Sequence, residues 1–295
     1  MEHARPHDLP LEDHFGDIVR KAMRGTGLDE RSLAARAGID ATLIAAWVRT
    51  YDAPSVHEAQ ARAVASALGL DAGRLADCAA EAWYPPAIDV PNVRRHSQAP
   101  HPSNGYVFFL EGGRRAALVD PAGEPQHLLR ILREGAYHLQ YILITHKHAD
   151  HCDATADIAR SFPDAQIVMH SLDAPALGSL AARILPVRDG EGLPFGDDVR
   201  IRMLHTPGHT DGSTCYLFGS TLFSGDTLFA GSVGGTFGDA STYDDLLHGI
   251  STKLFTLPEP TVVMPGHGPP TTVGLERAHN RFFFEGGRPH KDGGI

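Results

Sequence analysis

Thr145-His146-Lys147-His148-Ala149-Asp150-His151 decides how the rest of this 295-residue chain is read. The stretch follows directly on the apolar run Tyr141-Ile142-Leu143-Ile144, so it stands where a strand gives way to a loop. On extended backbone, residues two apart point the same way. His146 and His148 are therefore placed to share one metal ion, while Asp150 and His151 turn toward a second. A polar turn of solvated histidines is the bland alternative, and three further segments weigh against it.

Each of the three sets a ligand-type side chain in a tight Gly/Pro turn just after an apolar strand. Leu204-His205-Thr206-Pro207-Gly208-His209-Thr210 follows 199–203, Ser224-Gly225-Asp226-Thr227 follows 221–223, and Met264-Pro265-Gly266-His267-Gly268-Pro269 follows 261–263. The glycines let the backbone turn sharply with the ligand at its apex. His205 lies in an extended segment that does not bring it to His209, and it reads as a supporting histidine. Cys152, next to His151, reads as a buried free thiol.

Taken in the order HxHxDH, PGHT, GDTLF and PGHGPP, the chain resembles the metallo-β-lactamase superfamily over residues 87–295. Gly225-Asp226-Thr227-Leu228-Phe229 and Pro265-Gly266-His267-Gly268-Pro269 are most similar to the short glyoxalase II-like hydrolases. The resemblance implies an α/β fold, an αββα sandwich with the site at one edge between the sheets. It implies one metal on His146, His148 and His209, a second on Asp150, His151 and His267, and Asp226 bridging them. Asp150 and Asp226 are then the carboxylates of the catalytic centre, with Asn104 and Asp120 supporting the ligands from behind. The cofactor expected is a pair of divalent metal ions, zinc first, since mixed imidazole and carboxylate donors suit zinc, iron or manganese. The reaction implied is hydrolysis of a thioester or related small acyl compound by a metal-bridging hydroxide.

The likeness has departures. Glyoxalase II enzymes generally carry a basic residue and a Tyr shortly after the GDTLF-like motif, where they contact glutathione. Here glycine stands at the basic position and Phe237 has no hydroxyl, so a different acyl donor stays open. Iron-dependent persulfide dioxygenases share the 146–151 pattern, including Ala149, but their last motif resembles PAHDY. A lactone hydrolase is the third enzymatic alternative.

The formal net charge of −10 opposes binding of nucleic acid or anionic membrane by the molecule as a whole. No run approaches the ~18 apolar residues of a membrane span, and the N-terminus lacks the charge and apolar core of a signal peptide. Cys78, Cys152 and Cys215 are an odd, scattered set, which fits a reduced, cytoplasmic setting.

Residues 1–86 are expected to form a small all-α domain, with apolar residues at helical spacing. Within it, 28–47 resembles a helix-turn-helix of the Cro/repressor kind, with 41–49 as the recognition helix. That helix offers base edges little beyond Thr42 and Arg49, and residues 1–90 hold nine Lys/Arg against fourteen Asp/Glu, a balance of −5. Packing or homodimerisation is favoured over DNA binding, and covering the active-site edge is a further role; a ligand-sensing DNA-binding regulator is the remaining alternative. Residues 87–104 read as a linker. Strands are expected at 106–110, 116–120, 141–145, 166–170, 199–204, 215–218, 221–224 and 261–264, and helices at 125–135, 153–161, 242–257 and 274–284.

Overall fold

The computed structural model of the chain describes residues 9–50, 53–98, 101–110, 114–196, 199–238 and 240–284. Five helices come first: α1 Phe15–Thr26, α2 Glu30–Ala37, α3 Ala41–Arg49, α4 Glu58–Leu68 and α5 Ala72–Ala79. Local chemistry sets their ends. Asp29, Asp40 and Asp71 each accept from a backbone N–H in the first turn of the helix that follows, pairing donors that the helix itself leaves open. Gly38 closes α2 at φ 66°, in the left-handed region that a side chain would strain. In α3, Ile44, Trp47 and Val48 are buried, Thr42 donates to Asp40, and Arg49 is held by both carboxylate oxygens of Glu30.

Two six-stranded sheets form the body of the molecule. The first has the spatial order β1 (Val93–Gln98), β2 (His101–Phe109), β3 (Arg115–Val119), β4 (His138–Leu143), β5 (Gln166–Met169) and β6 (Ile184–Pro186). The second runs β14 (Thr271–Thr272), β13 (Val262–Pro265), β10 (Thr221–Gly225), β9 (Thr214–Phe218), β8 (Val199–His205) and β7 (Gly192–Phe195). A ribbon of β11 (Leu228–Phe229) and β12 (Ser232–Val233) stands apart.

Alternation along the strands decides the layers. Tyr106, Phe108, Val119, Leu143 and Val168 of the first sheet meet Phe195, Ile201, Tyr216, Phe218 and Phe223 of the second. The intervening residues Val107, Leu118, Ile142 and Ile167 face outward, under α6 (Pro125–Glu134) and α8 (Thr155–Ser161). On the far side of the second sheet, Leu204, Leu217, Leu222 and Val263 pack with α9 (Tyr243–Gly249), the π-helical turn Ile250–Leu254 and the N-terminal helices. The result is the αββα order of layers, α/β in class.

All eight expected strands are present, and four expectations need correction. Residues 87–104 are not all linker: β1 lies inside them, paired antiparallel with β2. It is an edge strand, with Val93 and His96 buried and Arg94 exposed, so too few apolar residues mark it. β6 and β7 were also unforeseen; each contains a proline and each lies at the edge of its sheet, where a missing N–H is tolerated. The helix expected at 242–257 ends its regular part at Gly249 and continues as the π-helical turn. The one expected at 274–284 is α10 (Val273–His279), after which the chain extends at Asn280 and buries Phe282 and Phe283 against the N-terminal helices. No described helix is long and apolar enough to cross a membrane.

The helical segment and the sandwich share one apolar core. Ile18, Leu33, Ile44, Leu68 and Leu75 belong to the same buried cluster as Leu228, Val233, Leu246 and Leu254. Polar ties cross the same boundary: Lys21 Nζ donates to the Val233 carbonyl at 2.8 Å, Arg74 to the carbonyls of Asn280 and Phe283, and the Asp71 N–H to that of Arg281. Both tryptophans, Trp47 and Trp83, precede the first strand. Urea unfolding followed by their fluorescence and by far-ultraviolet circular dichroism is therefore expected to give coincident midpoints. A separate, earlier fluorescence transition would contradict the shared core.

Candidate metal centre

Strand direction brings the ligand turns together. β9 is antiparallel to both β8 and β10, and β13 is parallel to β10, so β8, β10 and β13 all run the same way. Their C-terminal ends open on one edge, and the turns leaving them carry His209, Asp226 and His267. β4 of the other sheet delivers the fourth turn to the same edge, where the Thr214 N–H donates to Thr145 O and the Tyr216 hydroxyl to Ile144 O. His146 and His148 lie in the loop itself, and Asp150 and His151 in the short helix α7 (Ala149–Cys152).

All seven sequence-predicted residues meet here. His146 Nε2 and His209 Nε2 lie 3.1 and 2.9 Å from His148 Nδ1, three imidazole nitrogens facing one point. Asp150 Oδ2 lies 3.6 Å from His151 Nε2 and 3.4 Å from His267 Nε2, a second cluster. Asp226 stands between them: Oδ2 is 3.5 Å from both His209 Nε2 and His267 Nε2, and Oδ1 is 3.3 Å from His151 Nε2. Three overlapping groups, His146/His148/His209, His146/His151/Asp226 and Asp150/His151/His267, each hold their ligand atoms within 4.8 Å of one another.

The donor set fits metal cations on two grounds. Its atoms are imidazole nitrogens and carboxylate oxygens, with no thiolate, which suits zinc, iron or manganese. His151 Nε2 and Asp226 Oδ1 are also buried with no hydrogen-bond partner among the described residues. Buried polar atoms are normally paired, and a cation between these two would pair both.

What lies behind the ligands fixes their rings. Asp120, the residue after β3, has φ 52° and accepts from the Thr145 N–H, from the Thr145 hydroxyl and from His151 Nδ1. His146 Nδ1 meets Thr145 Oγ1 at 3.0 Å, and His209 Nδ1 donates to the Gly235 carbonyl at 2.6 Å. A bound metal wants this: the ring nitrogen it does not use holds the tautomer and the orientation. Asn104 pins the His267 turn, its side-chain amide donating to the carbonyls of Pro265 and Gly268. A Cβ on Gly266 would come within 2.2 Å of Asp226 Oδ1, so only glycine lets the two turns approach.

Three features escaped sequence reasoning. Buried Asp173 accepts from the Lys147 N–H, the Thr210 hydroxyl and the Gly212 N–H, clamping the first ligand loop to the second. Glu12 reaches 3.6 Å from His267 Nδ1, and Arg24 lies 4.9 Å over the Phe237 ring, both from the N-terminal segment. No motif marks any of them, because each acts across a long stretch of sequence. His205 is turned away from the centre: its ring stacks on His170 at 4.0 Å and its Nε2 meets the Asp211 carbonyl. Burial pushes the Cys152 thiol up to about 12, leaving it protonated near neutrality.

Residues 101–267 match the family model of the metallo-beta-lactamase superfamily. This chain belongs to the metallo-beta-lactamase superfamily. It is 32% identical over 172 residues to the hydroxyacylglutathione hydrolase of Tolumonas auensis, a match covering 57% of this chain and 63% of the relative, so the chain spans less than two thirds of that protein. It is also 32% identical over 187 residues to the hydroxyacylglutathione hydrolase GloC of Haemophilus influenzae, covering 57% of this chain and 87% of that one. Among solved structures, TTHA1623 in a di-iron-bound form superposes with a TM-score of 0.56 at 33% identity, covering 64% of this chain and 100% of that one. The superfamily fold accounts for the sandwich; the helices before β1 lie outside the matched residues.

Electrostatics of the metal-free centre set a pH dependence. Burial lowers His209 to about 4, and burial with the neighbouring histidines holds His146 well below the usual range. His267 goes the other way: although burial works to lower it, Asp226, Asp150 and Glu12 raise it to about 9. At pH 7 that ring is protonated without metal, and its Nε2 must lose the proton to become a ligand. Burial works to lower His151 too, yet Asp226 and Asp120 outweigh it and raise that ring as well. Metal uptake should therefore release at least one proton at pH 7, with affinity rising as pH climbs toward about 9. Zinc titration calorimetry in buffers of different ionisation enthalpy checks this; an enthalpy independent of buffer would contradict it.

Proposed function

We propose that the chain is a dinuclear metallohydrolase, with one divalent ion on His146, His148 and His209, a second on Asp150, His151 and His267, and Asp226 shared. The observation that carries this is the Asp226 carboxylate, one oxygen of which is equidistant from His209 Nε2 and His267 Nε2. Two such ions, when bound, supply Lewis acidity toward a carbonyl and lower the pKa of water toward ~7. The protein holds the donor atoms in place and keeps their ring orientations. It needs no nucleophile of its own, in keeping with a Cys152 thiol that stays protonated.

We take the substrate to be a thioester or a related small acyl compound. The two hydroxyacylglutathione hydrolases support this by name, at 32% identity. The surface beside the ligands supports it by chemistry. Phe237 is 53% exposed and sets its ring edge against His148 and His209, at 5.7 and 5.5 Å between centroids. The Arg24 guanidinium lies over that ring, and among the described residues no carboxylate pairs with it. An apolar face with a cation at its rim suits a thiol portion that carries a carboxylate, and it places a basic group where the loop 230–238 itself has none.

The Asp150, His151 and His267 cluster offers a second ion three donors of its own, and His151 Nε2 and Asp226 Oδ1, unpartnered among the described residues, face it; this supports two ions over one. Hydrolysis of a carboxylate-bearing acyl thioester is expected, abolished by chelation and restored by zinc. His146→Ala should lose on the order of 100-fold or more in kcat/KM, beyond the ~10–100-fold usual for a group that only supports a ligand. Arg24→Glu should raise KM for that thioester by up to roughly fivefold and leave a neutral thioester unchanged. Activity insensitive to chelation and to His146→Ala would overturn the proposal, as would oxygen consumption with a persulfide at one iron per chain.

A further inference from the structure

We infer that Glu12 is a positioning residue for His267, so that the N-terminal segment completes one of the two metal positions. The inference rests on the dinuclear reading above, and it concerns a carboxylate far from every motif in the sequence.

His267 presents Nε2 to Asp150 and Asp226, which leaves Nδ1 as the nitrogen to be held from behind. The other three histidines that present Nε2 all have Nδ1 engaged within the sandwich: His146 by Thr145, His151 by Asp120 and His209 by the Gly235 carbonyl. For His267 the sandwich supplies no such group among the described residues. The acidic oxygen facing its Nδ1 is Glu12 Oε2, at 3.6 Å.

Glu12 is placed there by construction. Two residues form the brackets. On one side the Tyr84 hydroxyl donates to the Leu9 carbonyl. On the other, buried Asp13 accepts from both the Ser232 hydroxyl and Lys21, and Lys21 also donates to the Val233 carbonyl. Between these anchors the chain crosses the His267 turn closely enough that a Cβ on Gly268 would lie 3.2 Å from the Glu12 nitrogen. Gly268 also has φ +74°, so a side chain there is disfavoured twice. The segment, the turn and the ribbon β11–β12 are thus locked together, with the Glu12 carboxylate at the Nδ1 side of the imidazole and the donor cluster at its Nε2 side.

A carboxylate at that nitrogen makes the imidazole a better donor and holds its rotation, and losing such a group typically weakens metal affinity by ~10–100-fold. The consequence for this chain is that docking of the N-terminal segment and occupancy of the Asp150/His151/His267 position are linked: each favours the other.

The test is zinc binding by the full-length chain, measured by competition with a chromophoric chelator. Glu12→Ala is expected to weaken one of two zinc ions by about 10–100-fold and leave the other unchanged. Glu12→Gln, which keeps an acceptor oxygen, should fall between Glu12→Ala and the parent. Glu58→Ala, an exposed carboxylate paired among the described residues with Arg62, should leave both affinities unchanged and so excludes a general charge effect. Unchanged affinities in Glu12→Ala would overturn the inference, as would an equal loss at both positions accompanied by a lower melting temperature. The stoichiometry of the parent chain tests the dinuclear reading separately: uptake of a single zinc ion would refute that reading, while the ratio of parent to Glu12→Ala affinity still reports on Glu12.

Discussion

One buried carboxylate constrains the whole arrangement. Asp226 faces four imidazoles, with Oδ1 3.3 Å from His151 Nε2 and Oδ2 within 4.0 Å of His146, 3.5 Å of His209 and 3.5 Å of His267. Lone pairs crowded at this distance, away from water, are costly unless positive charge lies among them. In the metal-free chain a proton on His267 supplies part of that charge; divalent ions would supply more, at the atoms that lack hydrogen bonds. The fold can be understood as the scaffold that makes this crowding tolerable.

That scaffold works through strand direction and through what lies behind each ligand. Three co-directional strands of one sheet and one strand of the other end at a common edge, and each exit turn is tied to its neighbours by backbone hydrogen bonds such as Gly266 N to Gly225 O. Asp120, Asp173 and Asn104 then fix the turns from outside the donor cluster. None of them touches the shared point between the clusters, yet each limits how far a ligand can move. The N-terminal helices add to this rather than standing apart, because their apolar faces are spent on the second sheet and on α9.

The site was legible because its ligands sit in dense local patterns at strand ends, where both the periodicity and the Gly/Pro turns are visible in a short window. The two central layers were legible for the same reason: a strand such as 141–144 is buried on both faces and reads as a continuous apolar run, and 221–224, also buried throughout, leads straight into its Gly turn. Edge strands were not. β1 carries two arginines and a histidine, and β6 and β7 carry prolines, so only their pairing makes them strands. The end of helix 274–284 was also misplaced, because burial of Phe282 and Phe283 overrides the helical spacing around them, and the regular part of 242–257 gives way at Gly249 to a π-helical turn. Contacts made across long separations, Glu12 with His267 and Arg24 with Phe237, leave no trace in composition or spacing. The helix-turn-helix likeness of 28–47 has a plain physical basis in capped helices around Gly38, while Thr42 and Arg49 are already engaged by Asp40 and Glu30.

The central claim is that seven side chains from four turns converge on two cations. Anomalous diffraction from crystals of the zinc-loaded chain, recorded on both sides of the zinc absorption edge, tests it most directly. The account predicts two peaks ~3.5–4 Å apart, one among His146, His148 and His209, the other among Asp150, His151 and His267, with Asp226 between them. A single peak, or peaks away from Asp226, would contradict it.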